Sequence, residues 1–158
     1  MTTNSNKIGG KVAKNKAAKP KTSSKYSTKF TDDDIAFISS EGGDKEFREK
    51  IVKLCHKKDI CITVLEPGCF DYGIKRSCQK RDGYAVVYDY DKTVEALAAA
   101  YMEWNKDDKK YTRENAETDA VEWVDYNTIR SLEYMRNSSS IMPKMVVTTE
   151  SGREKRIA

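Results

Sequence analysis

Residues 83–104, GYAVVYDYDKTVEALAAAYMEW, decide how the rest of the chain is read. Residues 83–90 are apolar and rich in valine and tyrosine, the clearest strand signal in the sequence. From Thr93 the composition turns to strong helix formers, and Val94, Leu97, Tyr101 and Trp104 recur on one side of a helix. Upstream, residues 60–65 (ICITVL) are β-branched and predict a strand that ends at Glu66-Pro67-Gly68, with residues 70–76 a second short strand. Residues 45–58 place Phe47, Ile51, Leu54 and Cys55 on one helical stripe, entered through Gly42-Gly43 with Asp44 as the cap. Thr31 followed by Asp32, Asp33 and Asp34 predicts a helix start, although residues 34–39 (DIAFIS) also fit a short strand.

Downstream, residues 106–111 form a charged linker, and Thr112 and Glu114 open a polar turn. Residues 116–126 predict a helix with Ala120, Val121 and Val124 inward, followed by a further turn capped by Asn127. Residues 137–140 read as a loop, residues 144–149 (KMVVTT) as a last strand, and residues 151–158 as a frayed, basic end. The sum is an α+β fold: a small, mostly antiparallel sheet with helices packed on one face. It occupies one domain over residues 31–150, with 31–58 its helical N-terminal part and 60–149 its sheet and helices. No internal repeat is visible.

Charge divides the chain. Residues 1–30 contain eight lysines (Lys7, Lys11, Lys14, Lys16, Lys19, Lys21, Lys25 and Lys29) and no acid. Since the chain holds 29 basic and 25 acidic side chains, residues 31–158 carry 21 basic against 25 acidic. The +4 total is therefore a +8 segment joined to a −4 body. A segment with so little to bury cannot offset its ordering entropy, so residues 1–30 are expected to be a disordered tail. Lysines without acids form an arm that displaces counterions from phosphates, which makes nucleic acid, DNA first, or a nucleoprotein complex the expected partner. A solubilising tail is the plainer alternative. Lys75, Arg76, Lys80 and Arg81 make a second basic patch flanked by Tyr72 and Tyr84, where rings could stack bases and cations hold phosphates. The competing reading is a solvated hairpin loop with the tyrosines in the core.

Apolar runs stay short of the roughly 20 residues that a membrane helix needs, and no apolar segment follows the N-terminal lysines as in a secretory signal. The expected location is the cytoplasm, in which the four cysteines remain thiols. Cys55, Cys61, Cys69 and Cys78, with His56 beside the first, could hold zinc, but they lack the closely spaced cysteine pair of a zinc knuckle. Buried free thiols are the simpler reading. Cys55 and His56 project about 100° apart on a helix, which argues against a nucleophile–base pair. No cofactor is expected. If residues 34–39 were a strand, Ser39 to Asp44 before the next helix could cradle a phosphate, and this β-α-β opening resembles that of TIR domains.

Further resemblances rest on longer signatures. CFDYGIKRSC (69–78), AVVYDYDKTVEAL (85–97), AVEWVDYNTIRSLEYM (120–135) and then Pro143 before an apolar strand resemble a family of small bacteriophage-encoded proteins. That family carries FD-x-x-I, VYDYDK and EW-x-x-YNTIR-type signatures. The resemblance spans about residues 65–148, departs from the family in the longer segment 105–118, and implies a phage origin and a compact fold without naming a reaction. Asp89-Tyr90-Asp91-Lys92-Thr93-Val94 resembles the D-x-D-x-T opening motif of haloacid-dehalogenase-type phosphatases. That likeness implies Asp89 as nucleophile and Asp91 as proton donor beside Mg²⁺. The plainer reading makes Asp91 the cap of the following helix. The expectation is a non-enzymatic, phage-type accessory protein that binds nucleic acid. The alternatives are an effector that inhibits a host enzyme or defence system, and a Mg²⁺-dependent phosphatase.

Overall fold

A computed structural model describes residues 30–40, 42–135 and 138–158. Of the expected disordered tail 1–30, residues 1–29 with all eight lysines lie outside the described residues, whereas Phe30 is half-buried and packs against the core. Helix α1 (Asp32–Ser39) opens on a reciprocal capping box. Thr31 Oγ1 accepts the Asp34 N–H at 3.1 Å, and the Asp34 carboxylate accepts the Thr31 N–H at 3.0 Å. That pairing overturns the strand alternative for residues 34–39, and with it the TIR-like opening. Helix α2 (Lys45–Lys58) starts where the Asp44 carboxylate accepts the Phe47 N–H at 3.0 Å, and it ends on Asp59 in the left-handed region.

Among the described residues four strands form one sheet in chain order: β1 (Ile74–Arg76), β2 (Val87–Asp89), β3 (Lys144–Thr148) and β4 (Glu154–Arg156). β1 and β2 pair antiparallel, β2 and β3 parallel, and β3 and β4 antiparallel. The fold is therefore α+β with a mostly antiparallel sheet. The parallel pair needs a crossover. It is supplied by α3 (Tyr90–Trp104), α4 (Arg113–Trp123), a π-helical segment (Val124–Ile129) and α5 (Arg130–Tyr134).

Helix α3 is the axis of the core, packing on α1, α4, the 3₁₀ turn Gly68–Gly73 and strands β2 and β3. Val94, Leu97 and Ala100 from α3 meet Ile38, Phe70, Val86, Tyr88 and Met145, all essentially inaccessible. Burying each large apolar side chain contributes about 1.5–3 kcal/mol. The Tyr88 hydroxyl enters this core because it accepts the Leu65 N–H at 3.0 Å. Gly73 lies against the start of α3, where a Cβ would run into the Thr93 hydroxyl and backbone. This glycine allows the 3₁₀ turn to seat on the helix.

Several sequence expectations change. Residues 60–65 form no strand: an isolated bridge joins Ile62 to Ile141, through Thr63 N–H to the Ile141 carbonyl (2.9 Å) and Ile141 N–H to the Cys61 carbonyl (2.7 Å). Within residues 70–76 only Ile74–Arg76 is a strand, the rest being the 3₁₀ turn. Strand 83–90 shrinks to Val87–Asp89 because Tyr84 and Ala85 spend their N–H groups on the preceding turn, donating to the carbonyls of Gln79 and Asp82. The C-terminal residues are not frayed. They turn at Gly152, at φ +77°, and pair with β3, extending the domain to Ala158 through the Met145 N–H to Ala158 carbonyl bond at 2.9 Å.

The buried positions Ala116, Ala120, Val124, Thr128 and Leu132 recur every four residues along α4, the π segment and α5. In an α-helix each such step overshoots a full turn by about 40°, so successive steps would swing Leu132 away from the core. The wider π turn absorbs that drift and keeps one face buried. Backbone dihedrals remain right-handed helical through Trp123, Val124, Ile129 and Arg130, so Asn127 continues the rod and caps nothing.

Candidate functional site

The second basic patch is locally neutralised. Arg76, on β1, donates to both Asp82 oxygens at 2.8 and 3.1 Å and to both Glu154 oxygens at 2.7 and 2.9 Å. Lys75 donates to Thr148 Oγ1 at 2.8 Å and pairs with Glu154 at 3.1 Å. Hydrogen bonds from Arg76 and then Lys75 hold the Glu154 carboxyl down at about 2, and Arg76 likewise depresses Asp82. Lys75 and Arg76 thus form a clasp that ties β1 to β4, not an open cationic surface. Arg81 stands 3.7 Å from Asp82 but is largely exposed, as is Lys80. The tyrosines are engaged elsewhere: Tyr72 packs edge-on to Phe30 at 5.3 Å, and Lys58 covers the Tyr84 ring at 4.8 Å.

At the end of β2 it is Asp89, not Asp91, that caps α3. Its Oδ1 accepts the Lys92 N–H at 3.0 Å, and its carbonyl accepts the Thr93 hydroxyl at 2.7 Å. Thr148 Oγ1 donates to its other oxygen at 3.5 Å. The Asp89 carboxylate is buried and turned into the fold, with one oxygen committed to the cap. Asp91 lies in the first turn of α3. The backbone that could have cradled a phosphate before α2 already faces an anion. The Asp44 N–H donates to Asp71 Oδ2 at 2.8 Å, and Arg48 donates to both Asp71 oxygens at 2.8 and 3.2 Å and to Glu66 at 2.7 Å. Gly43, at φ +64°, permits this approach, since a Cβ there would strike the Asp71 carboxylate.

The four cysteines do not form one cluster, although Cys55 and Cys78 are close enough to interact. Cys55 is half-buried on α2, Cys61 exposed, Cys69 buried in the 3₁₀ turn and Cys78 half-buried, while His56 is exposed on the last turn of α2. Among the described residues no three histidine, cysteine or carboxylate side chains are grouped to hold a metal. Burial pushes the Cys69 thiol up to about 12, which keeps it from acting as a thiolate.

One concave surface was not singled out by sequence reading. It lies between the C-terminal end of α3 and the rod of α4 and the π segment. One lobe, of about 760 Å³, is lined by Tyr101, Asn105, Tyr111, Asp119, Glu122, Trp123, Tyr126 and Asn127. A second lobe shares Tyr101 and Trp123 and adds Glu66, Pro67, Leu97 and Trp104. Along the rod, Asp119, Glu122, Trp123, Tyr126 and Asn127 sit three, four, seven and eight residues apart, one face by helical periodicity. Trp104 is 51% exposed and Trp123 43%, and these are the chain's two tryptophans. Tyr101 meets Trp104 edge-on at 5.8 Å, the Tyr111 hydroxyl donates to Asp119 at 2.8 Å, and the Arg130 guanidinium stands 4.5 Å over the Tyr126 ring. Burial, and then the Asp119 charge, raise the Tyr101 phenol. The available signal was the aromatic and acidic stripe on the outward face of the predicted 116–126 helix. That stripe does not by itself mark a groove, because the wall opposite it is supplied by Tyr101 and Trp104 of α3. Comparison with protein-family models, with curated proteins and with solved structures finds no match for this chain.

Proposed function

We propose that this chain is a phage-type accessory protein that associates with nucleic acid or a nucleoprotein complex without catalysing a reaction. The observation that carries this reading is the charge division: eight lysines and no acid in residues 1–30, against a body with four more acids than bases. Each lysine on a phosphate releases condensed counterions, so affinity is sequence-independent and falls with salt. The clasping of Lys75 and Arg76 supports assigning the binding to the arm rather than to the body. Lys80 and Arg81 could add to it. The commitment of Asp89 to a helix cap supports a non-enzymatic role, and the reading places the protein in the host cytoplasm.

The test is binding to labelled duplex and single-stranded DNA across a salt series. The full chain is compared with a version in which the eight arm lysines are glutamine. If all eight engage phosphates, log K against log salt falls with a slope of about −7 on duplex and about −6 on single strands. Binding that persists in the glutamine version refutes the arm. Metal-dependent phosphate release that is lost in Asp89→Asn would refute the non-enzymatic reading. The exposed tryptophans favour a second reading, in which the acidic body docks on a host protein as an effector or inhibitor.

A further inference from the structure

We propose that the groove between α3 and the α4–π rod docks a basic, lysine- or arginine-bearing peptide segment of a protein partner. This deepens the docking reading of the body and is independent of the arm. Exposed tryptophan is costly to leave in water, and both tryptophans of the chain line the same groove. With Tyr101, Tyr111 and Tyr126 they provide rigid rings of the kind that dominate contact energy in protein interfaces. Every charged residue lining the two lobes is an acid: Asp119, Glu122 and Glu66. Glu66 is paired with Arg48, which leaves Asp119 and Glu122 as the acids that face the opening.

A ring at the rim already carries a cation, Arg130 over Tyr126, so the local geometry suits cation–π stacking. A ligand with ammonium or guanidinium groups would stack on Trp104 and Trp123 and pair with Asp119 and Glu122. A phosphate chain would be repelled by the same carboxylates, which separates this surface from nucleic acid. The π segment belongs to the site because it delivers Tyr126 and Asn127 to the groove while Val124 and Thr128 stay buried.

The test uses the full chain and a fluorescein-labelled oligolysine peptide at low salt, read by polarisation and by tryptophan emission. Oligoglutamate and fully acetylated oligolysine are the controls. Oligolysine is expected to bind and the controls are not. Trp123→Ala and Glu122→Lys are each expected to weaken binding about tenfold or more, with Trp123→Phe retaining most of it. Both residues are exposed, and an unchanged thermal midpoint is the check that folding is preserved. Equal binding of the acetylated peptide, or undiminished binding by both variants, overturns the proposal. If oligolysine binds only after the eight arm lysines become glutamine, the chain's own arm is the occupant and the partner proposal fails. DNA binding, measured on the same variants, is expected to be unchanged, so failure of the groove and failure of the arm are read separately.

Discussion

The β1–β4 clasp and the α3–α4 groove invert their sequence appearances. Lys75, Arg76, Lys80 and Arg81 look like an open cationic patch, yet Arg76 is held from two sides by Asp82 and Glu154, and Lys75 shares Glu154. By its helical spacing Trp104 looks like a core residue, yet it and Trp123 both stand exposed in a groove whose charged lining residues are all acids. A charged residue is available to a partner only if the fold has not supplied its counterion. A large aromatic is structural only if the fold has covered it. The Arg48–Asp71–Glu66 cluster belongs with the clasp, because its charges too are spent within the molecule.

This contrast predicts that substitutions in the paired clusters cost folding, whereas those in the groove cost binding. The largest effect is expected at Asp71, whose side chain is fully buried between Arg48 and the Asp44 N–H. Asp71→Ala should lower unfolding free energy by about 3 kcal/mol, because Arg48 and that amide lose their acceptor together. Urea denaturation checks it, and a loss below about 1 kcal/mol would break the contrast. Asp89→Ala should cost about 1 kcal/mol through the lost α3 cap, whereas Asp89→Asn, which caps equally well, should be near neutral by the same assay.

Glu154 gives a pH signature. Its carboxyl is lowered from 4.5 to about 2 in the folded chain, so its contribution is complete above pH 4.5 and is lost as pH falls toward 2. Thermal midpoints should decline over that window in the parent and decline less steeply in Glu154→Gln. Screening by solvent at this exposed pair keeps the effect modest. The smallest change is expected for Trp123→Ala, within about 0.5 kcal/mol of the parent in urea. A loss of several kcal/mol there would turn the groove back into core.

Much of the helical architecture was legible because its signals are local. Thr31 with Asp34, and Asp44 before Lys45, are caps that act within one turn. Residues 60–65 were misread because a strand requires a neighbour, and Ile62 finds only a single bridge at Ile141. The C-terminal residues were misread for the converse reason: a polar segment became a strand because β3 offered an edge and Glu154 found two cations. The candidate groove was half legible, since the acidic and aromatic stripe is local, whereas its exposure depends on what α3 places opposite it.

The charge division, the α2 and α3 helices and the α+β class can be read from the chain alone, since each follows from neighbouring side chains and backbone periodicity, whereas the caps of α3 and of the 124–129 segment cannot. Which charges are neutralised, which strand ends find partners and which aromatic residues stay uncovered follows from the packing of distant segments. Those outcomes depend on side chains distant in sequence meeting at hydrogen-bond distance, as Arg76 and Glu154 do across 78 residues.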